Sequence, residues 1–473
     1  MPKKYHIDIK EAPARFVPVG RSTILDWEGG CLRCFKCVKR LCIYDAYNKR
    51  DFDATRLADT IDSVCKNCLR CVQMCPGRVI SKKENPEYKL LGDSYWTADI
   101  IVKQSEMAAT GKIPVSGAGY RGPFTGPGFD SMWTDMSEIV RPTRDGIHGR
   151  EYINTSVSLG RKRQNLSFDE SGAPVIAPLC EHEIPVPMIF AAPPLNILNE
   201  NVLKTFALAA ENLGMLTEIP VKNWGDFLTP HINSLVPVMG INDVDAWADL
   251  IAKVPMAGFV ANEVVPDDFV EKFKARFPGT LLMVKIPADE RAPRRVPAFA
   301  EEGTDVMCLV ADVNGKGMGE NSGKFISQIT REVHGRMVDL GVRDSVTLLL
   351  QGGVALAEHV AKAVICGADA VMVDLPVLLA LECTYCRRCN KGLACPVQLE
   401  NVNPEWGKKR VGNFMAAWRN QIIEVLGAMG IREIRRLRGE VGRAMFFDDL
   451  ERDTFGRLFG KKKAVPASEG ANP

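Results

Sequence analysis

Between residues 187 and 382 the chain repeats one pattern eight times: a short apolar, β-branched run, then a stretch of helical character. The runs are PMIFAA (187–192), LGMLTEI (213–219), SLVPVM (234–239), PMAGFVA (255–261), TLLMVKI (280–286), TDVMCLVA (304–311), VTLLLQ (346–351) and DAVMVD (369–374). Amphipathic stretches separate most of them, among them NENVLKTFALAAENL (199–213), INDVDAWADLIAKV (241–254) and VALAEHVAKAVICG (354–367). A strand apolar throughout has no face to give to solvent, so such strands belong in a parallel sheet covered on both sides by helices. Eight units predict an α/β fold, a closed (β/α)8 barrel of the TIM type. A doubly wound open sheet is the alternative.

Cysteine is the second constraint. Of 15 cysteines, 12 fall in three tight groups. Two-residue gaps suit disulfides poorly, because the paired Cβ atoms must face each other. They do let several thiolates point at one centre, as metal sites require, and so imply a reducing compartment. The second group, Cys65, Cys68, Cys71 and Cys75 followed by Pro76, has the spacing of the bacterial ferredoxin run. A structural zinc site is the alternative, but zinc more often pairs two C-x-x-C knuckles. The first group, Cys31, Cys34, Cys37 and Cys42, has one more residue before its last cysteine, and Ile43 replaces the proline. Two-cluster ferredoxins exchange their fourth ligands. One [4Fe–4S] cluster is therefore expected on Cys31, Cys34, Cys37 and Cys75, the other on Cys65, Cys68, Cys71 and Cys42. The third group, Cys383, Cys386, Cys389 and Cys395, precedes Pro396 and begins nine residues after the last strand, at the C-terminal mouth expected of the barrel. It predicts a third [4Fe–4S] cluster, with [3Fe–4S] or zinc as alternatives. Cys180, Cys308 and Cys366 stand alone and are expected as small buried apolar residues.

The expected organisation is a two-cluster ferredoxin-like segment (1–90), a Gly/Pro-rich connector wrapping the barrel (91–186), the barrel (187–382), the third cysteine group (383–400) and a helical extension with a tail (401–473). Residues 404–460 read as helices, and the basic stretch GIREIRRLRGEVGR as a solvated face. The tail KKKAVPASEGANP has the composition of a disordered segment. Gly117, Gly119 and Gly122 spell G-x-G-x-x-G, but Pro123 and further glycines follow where a dinucleotide site needs a helix. Arg141, Arg144, His148 and Arg150 are matched by Asp135, Glu138, Asp145 and Glu151. The net charge of +2 favours neither a nucleic-acid partner nor an acidic membrane surface. The start, MPKKYHIDIKEAP, is polar, and no apolar stretch approaches the roughly 18 residues of a span. A cytoplasmic protein without membrane insertion is expected.

Four stretches resemble the glutamate-synthase family in its archaeal-type form, where a ferredoxin-like segment precedes an FMN-binding synthase barrel: GDSYWTADII (92–101), TGKIPVSGAG (110–119), VKI (284–286) and LLLQGGVALAEHVAKAVICGADAVMVDLPVLLALEC (348–383). The resemblance implies that Gly352 and Gly353, after the seventh strand, meet the FMN phosphate through backbone N–H groups, where a side chain would block close approach, and that Gln351 beside them belongs to the cofactor site. It implies that Lys285, on the fifth strand, faces the flavin ring, and that a cysteine-ligated cluster follows the barrel.

Elsewhere the family's loops are replaced. Its small-residue loop after the first strand becomes AAPPLNILN (191–199), and its run after the second becomes TEIPVKNWGD (217–226). Its loop after the sixth strand becomes ADVNGKGMGENS (311–322), and its Gly-Thr phosphate contact becomes Asp374, Leu375 and Pro376. A carboxylate repels phosphate and proline has no amide donor. With Pro2, the sequence also has no cysteine nucleophile at position 2 for splitting glutamine. The pattern keeps an electron path and alters a substrate pocket. The expected function is an iron–sulfur electron-transfer subunit relaying electrons between partner redox subunits of a larger complex. FMN is left open. An FMN-dependent glutamate synthase and a non-catalytic scaffold are the alternatives.

Overall fold

A computed structural model describes residues 5–25, 31, 32, 34, 36–47, 61–113, 126–134, 152–161, 167–175, 180–193, 195–261 and 265–456. The G-x-G-x-x-G glycines, the arginine-rich run 141–150 and the tail lie outside them.

Eight parallel strands close into a barrel: β1 (Met188–Phe190), β2 (Thr217–Pro220), β3 (Leu235–Gly240), β4 (Met256–Val260), β5 (Leu281–Pro287), β6 (Val306–Val310), β7 (Thr347–Gln351) and β8 (Ala370–Val373). The sheet closes where β8 pairs with β1, through Met372 opposite Ile189. All eight apolar runs therefore become strands, and the open sheet is excluded. Their burial explains the sequence: β8, for example, is buried at every position.

Helices cover the barrel as the 3.6-residue pattern requires. Before it comes α1 (Ala98–Thr110); around it lie α2 (Glu200–Leu213), α3 (Phe269–Arg276), α4 (Ala292–Glu302), α5 (Ile326–Asp339), α6 (Ala357–Ile365) and the short α7 (Leu375–Ala380). After it comes α8 (Pro404–Ala428). α2 shows why the boundaries fall where they do. Asn199 accepts from Val202 N–H at its start, and Gly214 ends it at φ 61°.

Two expected helices fail. Residues 241–254 form a 3-10 turn, Ile241–Asp243, and one α-turn, Ala248–Ile251. The Asp243 carboxylate accepts the Gly240 N–H, the capping bond of a helix start, but the ladder does not continue beyond the first turn. Residues 430–443 contain only the short 3-10 pieces Ile434–Leu437 and Val441–Arg443. Here Arg432 and Ile434 bond the backbone of Asn154, which uses groups a helix would need.

The stretch read as a connector contributes to the main core: Trp96, Ile100, Ile101, Met107, Phe129 and Met132 are buried in it. Buried Arg410 of α8 ties three segments together. It donates to the carbonyls of Ala380 (2.6 Å), Ala12 (3.1 Å) and Ser105 (3.0 Å). The N-terminal chain thus runs along α8 to the barrel mouth, where Arg15 pairs with Glu382 at 3.1 Å.

The cysteine-rich N-terminal unit is small. A two-stranded antiparallel sheet pairs Ser22–Leu25 with Ser81–Glu84, and among the described residues Ala46, Tyr47, Cys71 and Ile80 form its buried cluster. Of the lone cysteines, Cys308 and Cys366 are buried as expected, whereas Cys180 is only half-buried, its thiol donating to Gly279 O at 3.3 Å.

Candidate functional site

The twelve grouped cysteines line three cavities. One is bounded by Cys31, Cys34, Cys37 and Cys75 (about 420 Å³), a second by Cys42, Cys65, Cys68 and Cys71 (about 290 Å³). The last cysteine of each run has crossed to the other run's cavity. Two single-turn helices, Cys37–Leu41 and Arg70–Gln73, set this up by carrying the chain between them. The third cavity, about 330 Å³, is lined by Cys383, Cys386, Cys389 and Cys395, with Leu195 and Ile197 from the loop after β1. It therefore lies at the C-terminal mouth of the barrel, where this fold places its chemistry. Burial pushes the Cys383 thiol up to about 12. The thiols form no disulfide, and among the described residues no three His, Cys, Asp or Glu side chains form a single-ion site.

The backbone around these cavities is unusual. All eight described non-glycine residues with positive φ lie within three positions of a grouped cysteine. Asn67 (54°) and Leu69 (57°) stand two and four residues after Cys65, and Tyr385 (52°) and Arg387 (57°) stand at the same offsets from Cys383. Asp45 (56°), Arg78 (52°) and Gln398 (46°) each follow a fourth cysteine by three. Glu382 (75°) completes the set. Each such residue costs about 1–3 kcal/mol, and persists only where the surroundings require it. Left-handed residues set among right-handed ones turn successive N–H groups toward one concavity, a geometry suited to an anion.

Inside the barrel Lys285 of β5 reaches Glu218 of β2, with Nζ to Oε1 at 2.5 Å. The two strands stand three places apart, so the pair spans the interior. Both residues are buried. Burial, the largest single influence, would pull the Lys285 ammonium down, but the charge and hydrogen bond of Glu218 together with Cys308 and Asp374 outweigh it and leave the ammonium above its ordinary value. Cys308 sits beside Lys285 in register, its thiol pushed up to about 12 by burial. Asp374, just past β8, is buried too; its carboxylate accepts the Leu375 N–H at 2.6 Å. Burial raises it to about 6, against the lowering effect of that backbone bond.

After β7, Gly352 (φ 101°) and Gly353 (φ 71°) hold conformations that side chains resist, and a Cβ on Gly352 would meet Asp312 O at 2.3 Å. The Gly353 N–H already donates to Val313 O at 3.3 Å. Its carbonyl accepts from Tyr95, and Trp96 donates to Val313 O at 3.1 Å. The Phe325 ring packs against Gly315 and Gly353. Gln351 keeps a buried Oε1 with no partner.

The conserved region of glutamate synthase matches residues 268–432, from β5 flank to α8. Over 90% of its length the chain is 24% identical to the archaeal glutamate synthase (NADPH) of Archaeoglobus fulgidus, covering 94% of that protein. It is 26% identical to the archaeal-type glutamate synthase (NADPH) of Dehalococcoides mccartyi, over 87% of this chain and 92% of that one. The chain is thus similar to glutamate synthases of the archaeal type over about nine-tenths of its length. Among solved structures, a flavocytochrome b2 with pyruvate bound overlaps 72% of this chain and 84% of its own at 13% identity, with a TM-score of 0.47.

Within this glutamate-synthase-like framework the structure brings Lys285 to the barrel interior and Gln351, Gly352 and Gly353 to the mouth after β7. It also adds residues that sequence reasoning missed. Glu218 lies 67 positions from Lys285 and carried no signal beyond being a carboxylate in an apolar run. Lys82, whose ammonium donates to Cys65 Sγ, looked like a surface lysine in SKKE.

Proposed function

We propose that this chain is an iron–sulfur electron-transfer component of an oxidoreductase, carrying two [4Fe–4S] clusters in its N-terminal unit and a third cluster at the barrel mouth. The observation that carries the reading is the cavity lining: Cys75 stands with Cys31, Cys34 and Cys37, and Cys42 with Cys65, Cys68 and Cys71. That is the ligand exchange of two-cluster ferredoxins. The turned N–H groups suit an anionic cluster as well. Other redox subunits of a multi-subunit complex are the partners this function requires, in the cytoplasm. No described helix is long and apolar enough to cross a membrane.

FMN is the group the resemblance implies for the barrel. Lys285 and the unpartnered Gln351 Oε1 suit a flavin ring. At the phosphate end the Gly353 N–H is engaged by Val313 O and the Leu375 N–H by Asp374, and Pro376 has none to offer. No step of the proposed function runs through a flavin. One observation favours a second reading, glutamate synthase itself: the extent of the match to the archaeal-type enzymes, about nine-tenths of the chain.

Anaerobic purification tests the first reading. About eight to twelve irons per chain, with the spectra of four-iron clusters, are expected. Zinc as the dominant metal, or iron of about four or fewer after full reconstitution, sinks it. The two readings separate on one assay: flavin-replete protein with dithionite, 2-oxoglutarate and ammonia. No glutamate above the uncatalysed rate is expected, because binding and positioning supply much of an enzyme's rate and the loops that position substrate are rewritten. Glutamate over many turnovers promotes the synthase reading.

A further inference from the structure

We infer that Lys82 makes the inner of the two N-terminal sites, the one lined by Cys42, Cys65, Cys68 and Cys71, the easier of the pair to reduce. This rests on reading both cavities as cluster sites. Lys82 lies on the strand Ser81–Glu84, opposite Ile24, and is half-buried at the wall of the inner cavity. Its ammonium donates to Cys65 Sγ and reaches Asn67 Oδ1 at 3.5 Å. Lys66, the other lysine lining that cavity, is matched by Glu106 at 3.0 Å. The lysine lining the outer cavity, Lys36, is exposed.

One-electron reduction adds a negative charge to a cluster and its thiolates. A cation hydrogen-bonded to one of those sulfurs stabilises the reduced state more than the oxidised one, and so raises the potential. Partial burial protects that effect from the screening an exposed lysine suffers. With both clusters present, an electron on the outer cluster moves to the inner one: the outer is oxidised by one electron, the inner reduced by one, and no proton is transferred.

The direction matters because of what lies beyond. The outer and inner cavities meet at Leu41, which lines both. Tyr44 and Lys66 of the inner cavity also line a cleft of about 1340 Å³, whose far wall includes Cys383, Thr384 and Val397. Those three residues line the third cavity as well. An electron held at the inner site is therefore held on the barrel side, next in order before the third site.

An EPR-monitored redox titration of the full chain tests this. Cys34→Ser and Cys386→Ser, which remove the outer and third sites, assign the steps. Lys82→Gln is expected to lower the inner step by about a tenfold change in its reduction equilibrium, about 59 mV for one electron, and to leave the other steps in place. Lys82→Arg is expected to keep the inner step near its original potential. Lys89→Gln removes a charge from the surface of the same unit and is expected to shift nothing. An unmoved inner step in Lys82→Gln, or an equal shift in Lys89→Gln, overturns the inference. The wild-type chain gives an independent readout after labelling with nitrogen-15 lysine. Coupling of one lysine nitrogen to the inner cluster is expected, and its absence overturns the inference even if Lys82→Gln cannot retain a cluster. A wild-type chain without four-iron clusters overturns the underlying reading instead.

Discussion

The cysteine cavities and the barrel mouth treat their polar groups in opposite ways. Around the cysteines, the backbone adopts costly left-handed turns at Asn67, Leu69, Tyr385 and Arg387, and the thiols face open cavities. At the barrel mouth the chain engages most of the groups named above itself, the Gln351 Oε1 excepted. Lys285 is taken by Glu218, the Gly353 N–H by Val313, and the Leu375 N–H by Asp374. Strain around an open cavity is what a site built for a tightly held group looks like. Internal pairing is what remains when a pocket's ligand contacts have been reassigned to the fold. The second and third cysteine groups share their left-handed offsets although the final spacing differs, three residues before Cys75 and five before Cys395. The extra residues are absorbed after the common turn.

The largest expected effect breaks the comparison at its root. Stripping iron with a chelator under reducing conditions should leave the N-terminal unit without protection from hydrogen exchange, while β1–β8 stay protected. Protection retained across residues 61–90 would mean that the unit does not depend on metal. Next in size, Cys75→Ser should lose about four irons, those of the site built on Cys31, Cys34 and Cys37, and leave the site of its sequence neighbours intact. An anomalous-scattering map with each cluster ligated by a single run would refute the crossing.

At the barrel mouth, Lys285→Met should destabilise the fold by about 3–5 kcal/mol in urea titration, because it leaves the Glu218 carboxylate buried and unpaired. Lys285→Met with Glu218→Gln should recover most of that loss. If instead the single variant leaves stability unchanged and lowers bound flavin, the pair is a ligand site and the contrast between the regions fails. The smallest effect is a pH dependence. Asp374 is raised to about 6 in the fold against an ordinary value of 3.8, so the folded state favours its protonated form. Its contribution is fully present below about pH 4 and is lost as pH rises through about 6, amounting to at most about 3 kcal/mol. Asp374→Asn should flatten the stability profile over that window in urea titrations. A profile as steep as that of the parent would assign the titration to another group.

Much of the fold was legible because its signals are local. Strand β5 announces itself as TLLMVKI, and α2 by the spacing of its apolar residues between Asn199 and Gly214. The failed helix at 430–443 was illegible because its competitor was not in the pattern: a distant Asn154 whose backbone bonds Arg432 and Ile434.

By itself, then, the sequence determined the barrel's strands and the three sets of thiols, since apolar run length and cysteine spacing are properties of neighbouring residues. Only the tertiary structure decided what those groups meet. Glu218 finds Lys285 because a closed barrel brings β2 and β5 to face each other across its interior. Lys82 finds Cys65 because a two-stranded antiparallel sheet folds the strand after the second cysteine run back along the unit. The Gly353 amide finds Val313 because adjacent parallel strands end at one mouth and send their loops together. In each case the partner is remote in sequence, and electrostatics and hydrogen bonding act over a few ångströms of space, whatever the separation along the chain.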